Sequence, residues 1–194
     1  MIRTSIQRNS VIAALILMSL AAKASAQKVM LNLRTNRTHY AIGDSIRFHL
    51  SYKNASDRAI WLLPHTEIYP ANVFEVKNVR TKKKGEWIRV PGEDSIAWEG
   101  YAEEVVRLQP GALVTRTLVA EIHSKLPNFF EDLRTGIFLV FPGSAIRLDS
   151  GGQYQVRARF RVSPNHPVHA FLPAGRQIWH GETESNPVVI QIQQ

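Results

Sequence analysis

Apolar and polar residues alternate along much of this chain, which is typical of β-strands with one buried face. The two strongest stretches are residues 46–52 and 154–162, and shorter ones are 29–33 and 188–192. Each predicts a strand that packs one face against a core. We therefore expect Phe48 and Phe160 to be buried, while the arginines beside them are exposed or lie at a rim.

Weaker apolar runs lie between these stretches and predict further strands. They occupy residues 59–63, 73–79, 87–90, 105–108, 113–122 and 137–141. Residues 113–122 could form a strand or a short helix, and their threonines and valines favour the strand. Residues 80–85 form a basic tip that predicts a hairpin around it. Many short strands, frequent turns and no long amphipathic helix predict an all-β fold, an antiparallel immunoglobulin-like β-sandwich.

Two turns carry specific signals. Gly43 can adopt a positive φ at little cost, and the carboxylate of Asp44 can bond its own backbone in the same turn. Two glycines, Gly151 and Gly152, lie just upstream of Tyr154. They predict a tyrosine corner, in which the Tyr154 hydroxyl bonds a backbone group just upstream; an ordinary strand-facing tyrosine is the alternative.

The N-terminal segment has the pattern of a secretory signal peptide. Arg3 and Arg8 precede an apolar run at residues 11–22, and Ala24 and Ala26 are the small residues of a cleavage site. We expect residues 1–26 to be removed and residues 27–194 to form a single β-sandwich domain without a transmembrane segment. The predicted location is the periplasm or the extracellular space.

Composition narrows the class of protein. The chain of 194 residues contains no cysteine. This excludes a thiol nucleophile, a thiolate metal site and a lipid anchor on cysteine, and it fits an exported bacterial protein better than an animal one. The net charge is +8, of which residues 1–26 contribute +3. The remaining basic excess could favour anionic envelope polymers or lipid head groups, or it could serve solubility alone.

Residues 163–187 interrupt the strand pattern. They contain four prolines and three histidines, and we interpret them as a long insertion before the last strand. Phe171 and Trp179 could anchor a partner or pack the segment on the sandwich. Trp98 is a further candidate for binding, whereas Trp61 and Trp87 are expected at the core.

Candidate chemistry is sparse. No motif of a hydrolase, metalloprotease or nucleotide-binding enzyme is present, so the sequence predicts no enzyme and no cofactor. The weak candidates for metal ligands are His166, His169 and His180, and exposed loop histidines are the default interpretation. Arg157, Arg159 and Arg161 form a row on one strand face. Such a row could bind a polyanion, or it could be a solvated face with acidic partners on neighbouring strands.

Four short motifs together resemble a known group of domains. They are Tyr40-x-x-Gly43-Asp44-x-Ile46-x-Phe48, Asn54-Ala55-Ser56-Asp57, Leu108-Gln109-Pro110-Gly111 and Gly152-Gln153-Tyr154-Gln155-Val156. This set is similar to bacterial secreted immunoglobulin-like domains of the macroglobulin type and to BsuPI-type proteinase inhibitors. The resemblance implies an immunoglobulin-like sandwich of the kind found in uncharacterised envelope proteins. It also raises the alternative of a secreted proteinase inhibitor.

These observations predict an exported, non-enzymatic binding or structural module of the bacterial envelope. Its partner is expected to be a protein or a glycan rather than nucleic acid, because few aromatic residues are interleaved with the basic ones. The alternatives are the proteinase inhibitor and an enzyme whose site is built from scattered residues.

Overall fold

The computed structural model describes residues 28–64, 72–79, 86–90, 105–125, 136–142, 144–148, 150–165, 170, 172–174, 176 and 178–193. For residues 72 and 73 it describes the backbone alone. The strands are β1 Val29–Thr35, β2 His39–Ala41, β3 Ser45–Asn54, β4 Ile60–Leu62, β5 Asn72–Asn78, β6 Ile88–Arg89, β7 Val106–Leu108, β8 Leu113–His123, β9 Ile137–Phe141, β10 Ser144–Leu148, β11 Gly152–Val162, β12 Gly181–Glu184 and β13 Val188–Gln193.

The strands form two main sheets and one small one. The first sheet has the order β1-β3-β8-β9-β10, and the second has the order β2-β13-β11-β5-β6, with β12 also paired to β11. Strands β4 and β7 pair separately. All pairings are antiparallel except that of β2 with β13, which is parallel. The prediction of an all-β, antiparallel architecture is therefore confirmed.

The inner faces of the two main sheets share one apolar core. Phe48 of β3 contacts Phe74 of β5, with the ring centroids 5.3 Å apart. Tyr52 of β3 meets Phe160 of β11 edge to face at 5.1 Å. Because β3 belongs to the first sheet while β5 and β11 belong to the second, these contacts pack the sheets face to face. Phe48 and Phe160 are fully buried, as the alternation predicted.

Polar side chains hold the turns as the sequence indicated. Gly43 has φ 90°, and the Asp44 carboxylate accepts a hydrogen bond of 2.6 Å from the Ala41 backbone N–H. The Tyr154 hydroxyl donates to the carbonyl oxygen of Ser150 at 2.6 Å, which confirms the tyrosine corner. Buried Asn54 donates from its side chain to the carbonyls of Arg58 and Leu108, so it ties the end of β3 to the small sheet.

The predicted insertion is shorter than expected. Residues 163–187 were predicted to lie between two strands, but β12 occupies part of this range and pairs antiparallel with β11. Its sequence, Gly-Glu-Thr-Glu, has no apolar alternation, so the hydrophobic pattern could not indicate it. Strand pairing with β11 thus resumes at Gly181, the first residue of β12, and residues 185–187 form a bulge between β12 and β13.

Two further strands were not predicted. Strand β2 has a single buried residue, Tyr40, and is too short to show alternation. Strand β10 begins directly after Pro142 and Gly143, residues that are typical of a turn at the end of a strand. The other predicted strands are present, and β5 pairs antiparallel with β6 as expected. The predicted basic tip at residues 80–85 lies outside the described residues.

The predicted signal peptide, residues 1–26, lies outside the described residues. No helix in the part of the chain that the structure describes is long and apolar enough to cross a bilayer.

Candidate functional site

The outer face of the second sheet carries a network of arginines and glutamates, which we call the ion-pair face. Its members come from three strands: Arg157, Arg159 and Arg161 from β11, Glu75 from β5, and Glu182 and Glu184 from β12. The predicted arginine row is therefore real, and its acidic partners come from the neighbouring strands. Strand β12, which the sequence pattern did not reveal, provides two of them.

Glu75 lies at the centre of the ion-pair face. Its carboxylate accepts from Arg157 Nε at 2.6 Å and from an Arg159 terminal nitrogen at 3.2 Å. The Glu75 side chain is only 8% exposed, so water competes little for the hydrogen bonds that its carboxylate accepts. Such charge-assisted hydrogen bonds are stronger than neutral ones.

The two exposed glutamates complete the network. Glu184 lies 2.8 Å from Arg157 and 3.0 Å from Arg159 Nε, and Glu182 contacts Arg159 and reaches Arg161 at 4.0 Å. Burial of the Arg159 guanidinium lowers its pKa, but Glu75 and Glu182 outweigh this effect, so that the pKa is raised. These three arginines and three glutamates balance in charge, which leaves Lys77 and Arg89 as the basic excess of this sheet.

Trp87 also belongs to the ion-pair face. The Arg157 guanidinium lies over its ring at 4.3 Å from the centroid, and the Lys77 ammonium is 6.0 Å away. Trp87 immediately precedes β6, and its ring lies on the outer face of the sheet beside these charged side chains. The expectation that Trp87 lies in the core is therefore wrong. This cation–π contact holds the Arg157 guanidinium in the position from which it pairs with Glu75 and Glu184.

The outer face of the first sheet has a different character, and we call it the basic face. It carries Arg34 on β1 together with Arg47 and Lys53 on β3, all exposed. No carboxylate of the described residues lies within ion-pair distance of these three side chains. The five strands of this sheet contain a single acidic residue, Glu121, which bonds His123 at 2.9 Å.

Neutral hydrogen-bonding groups lie between these cations. His49 stands directly opposite Arg34 and bonds the Thr117 hydroxyl at 2.9 Å. Ser51 bonds Thr115 at 3.1 Å. At one end, Lys53 is flanked by Met30 and Leu113, which are 51% and 60% exposed. The basic face is thus a flat surface of cations, hydroxyls and a few aliphatic groups.

Sequence reasoning missed the basic face. The signal for two of its three cations was present, since Arg47 and Lys53 alternate with the buried residues of β3. Arg34 joins them only through the pairing of β1 with β3. That register is a long-range property, which a search for motifs along the chain does not detect.

The remaining candidates are not brought together. Trp179 is buried and stacks on Phe160 with the ring centroids 5.4 Å apart, so its indole is a core side chain rather than a surface anchor. Gly181 permits this packing, because a Cβ there would lie 2.9 Å from the Trp179 ring. His180 is exposed. Trp98, Phe171, His166 and His169 lie outside the described residues.

No group of three histidine, aspartate or glutamate side chains suited to a metal ion occurs within the described ranges.

Comparisons with known proteins give no family. No protein-family model matches the chain, and no curated protein matches its sequence. Among solved structures, the sporulation control protein Spo0M of Bacillus subtilis matches with a TM-score of 0.40 and 8% identity over 86% of this chain and 49% of that one.

Glycosidases also appear among the structural matches. A β-glucosidase of Listeria innocua matches with a TM-score of 0.40 and 12% identity, over 87% of this chain and 16% of that one. One from Erythrobacter marinus has a TM-score of 0.36, 13% identity and coverages of 86% and 16%. The chain thus spans about half the length of Spo0M and about a sixth of either glucosidase. At these TM-scores the likeness assigns neither a family nor an activity to the chain.

Proposed function

We propose that this chain is an exported, non-enzymatic module with an immunoglobulin-like arrangement, and that it binds a component of the bacterial envelope. The two sheets, antiparallel except for the pairing of β2 with β13, and the tyrosine corner at the start of a long strand support the immunoglobulin-like arrangement. The N-terminal pattern of the sequence supports export.

One observation carries the proposal of binding: the two outer faces differ in how their charges are satisfied. On the ion-pair face, Arg157 and Arg159 are held by glutamates of the same fold. On the basic face, Arg34, Arg47 and Lys53 have no such partner among the described residues. Exposed cations that no described carboxylate neutralises can pair with groups outside the molecule, which favours a binding role for this sheet.

Export is tested by expressing the full chain in a bacterial host and measuring the intact mass of the protein in each cell fraction. We expect the periplasmic or secreted protein to lack residues 1–26. Protein that stays in the cytoplasm with its N-terminus intact would contradict the proposal.

Binding is tested by mixing the purified protein with isolated bacterial envelopes and measuring the fraction that sediments. We expect saturable sedimentation that falls as salt rises, because salt screens exposed charges. The alternatives give other outcomes. Inhibition of a secreted protease with no sedimentation would favour the proteinase inhibitor, and turnover of an envelope substrate would favour an enzyme.

A further inference from the structure

We propose that the basic face binds an acidic polysaccharide, a glycan whose sugars carry carboxylate or phosphate groups. This rests on the proposed function and specifies its ligand. The contact surface comprises β1, β3 and β8, with Arg34, Arg47 and Lys53 as the groups that meet the anions.

The first argument is electrostatic. The outer face of the first sheet holds four cations, Arg34, Arg47, Lys53 and Arg147, against one acidic residue, Glu121; Arg116 stands opposite the buried Leu50 and lies on the inner side. The strands of the second sheet hold five lysines and arginines against three glutamates. Because cations of one sign on one surface add their fields, the basic face attracts anions more strongly than the ion-pair face does. Guanidinium groups also match the geometry of carboxylate and phosphate.

The second argument concerns shape. Arg47 and Lys53 lie six residues apart on one strand, which corresponds to about 20 Å. Arg34 lies on the neighbouring strand, about 5 Å to the side, opposite His49. Cations spread along a flat strand suit an extended polymer with repeated anions better than a compact ion, which would need them to converge.

The third argument separates a glycan from other polyanions. Hydroxyl, amide and imidazole groups fill the space between the cations, and they can exchange hydrogen bonds with sugar hydroxyls. The exposed apolar residues of this face are aliphatic: Met30, Leu113 and Val119. Its one described aromatic side chain, Phe138, is buried. Single-stranded nucleic acid would require exposed aromatic platforms for its bases, so the surface favours a sugar polymer.

The test compares two triple variants of identical charge change. The first is Arg34→Gln, Arg47→Gln and Lys53→Gln. The matched control is Arg58→Gln, Arg107→Gln and Lys125→Gln, which also replaces two arginines and one lysine, all exposed and outside both faces. Each full-length protein is titrated with polygalacturonate as the acidic polysaccharide and with dextran as a neutral one.

We expect the first variant to bind polygalacturonate at least about tenfold more weakly than the parent protein and the control to lose less than about threefold, because local rather than net charge decides the contact. The parent should not bind dextran. Its affinity for polygalacturonate should fall more steeply with salt than the affinity of the first variant does. The three single substitutions are measured as well, each with its circular dichroism spectrum, so that a loss of folding is recognised. At least two of them should weaken binding without changing the spectrum.

Other outcomes overturn the inference. Equal losses of affinity for polygalacturonate in both triple variants would mean that the net charge of the protein alone attracts the polymer. Tighter binding to phosphatidylglycerol vesicles or to a DNA oligonucleotide would point to another class of ligand. If the parent sediments with bacterial envelopes but does not bind polygalacturonate, the binding function stands and the acidic glycan is excluded.

Discussion

Individual side chains that bond to nearby backbone define the turns of this molecule. The hydroxyls of Tyr40 and Tyr154 donate to the carbonyls of Arg37 and Ser150, each at 2.6 Å. Burial raises the pKa of Tyr40, although the hydrogen bond to Arg37 opposes this effect. The Asp44 carboxylate accepts from the Ala41 N–H and lies 2.7 Å from the Arg37 guanidinium, and both contacts lower its pKa. These short-range bonds are the reason that the turns could be predicted from the sequence.

The lowered pKa of Asp44 makes the stability of the fold dependent on pH. The contribution of this carboxylate is fully present above its unfolded pKa of about 4 and is lost as the pH falls through the lower folded value. Asp44→Asn removes the charge but keeps an oxygen that can accept from Ala41. We expect the difference in urea midpoint between wild type and variant to be largest near pH 6 and to shrink below pH 4. If the loop variant Asp57→Asn showed the same pH dependence, the role assigned to Asp44 would be wrong.

At the scale of elements, β11 organises the second sheet. It pairs with β5 on one side and with β12 and β13 on the other. Its inward residues form the core, and its outward arginines hold β5 and β12 through the ion-pair face. Strand β12 has no apolar residue to bury, so backbone hydrogen bonds and these ion pairs hold it in place.

Removing the central carboxylate tests the ion-pair face. Glu75→Gln leaves Arg157 and Arg159 with one fewer charged partner at a buried position, and we expect a loss of about 2 kcal/mol in the free energy of unfolding. The matched variant Glu182→Gln alters a side chain that is 41% exposed and should cost less than about 1 kcal/mol. Urea unfolding measures both. A larger loss for Glu182→Gln would mean that Glu75 is not the centre of the network.

The bulge before β13 links the two sheets at one edge. The Asn186 side chain accepts from the Leu33 N–H and donates to the Leu33 carbonyl, both at 3.0 Å, so it imitates the backbone of a neighbouring strand. This covers part of the free edge of β1, which would otherwise offer its backbone to another chain.

Asn186→Ala should remove this cross-link. We expect a loss of about 1 to 2 kcal/mol in stability and faster hydrogen exchange at the Leu33 amide. Asn32→Ala on the same strand serves as the control, since its side chain is exposed on the opposite side of the sheet. Unchanged exchange at Leu33 in the Asn186 variant would exclude the cross-link.

At the scale of the whole molecule, aromatic side chains join the sheets. Phe74 contacts Phe48 and Phe141 from the first sheet, each with centroids 5.3 Å apart. Phe160 lies between Tyr52 of the first sheet and Trp179 of the segment that precedes β12. One residue of β11 therefore connects both sheets and the long connection.

Truncating Phe160 should consequently be costly. We expect Phe160→Ala to lower the free energy of unfolding by about 3 to 5 kcal/mol, because it leaves a cavity at this junction. Arg161→Ala, the next residue on the outward face and 73% exposed, should cost less than about 1 kcal/mol. Similar losses in urea melts would show that the assignment of faces along β11 is wrong.

The sequence by itself determined the class of fold, most of the strands and the face on which most of their residues lie. These features are local: a strand repeats every two residues, and a turn needs its glycine or its hydrogen-bonding side chain within a few positions. Phe48, Asp44 and Tyr154 could therefore be placed correctly without knowledge of their distant neighbours.

Only the tertiary structure decided which charged side chains form ion pairs within the fold. Glu75 meets Arg157 across 82 residues of sequence, and β12 contributes its glutamates because it pairs with β11. Arg34 joins Arg47 and Lys53 through the pairing of β1 with β3. The arginines that form a conspicuous row in the sequence are thus paired with glutamates within the fold, whereas Arg34, Arg47 and Lys53 on the other sheet have no carboxylate partner among the described residues. Alternation specifies the face of a side chain, whereas strand register specifies its neighbours, and register depends on contacts made by the whole molecule.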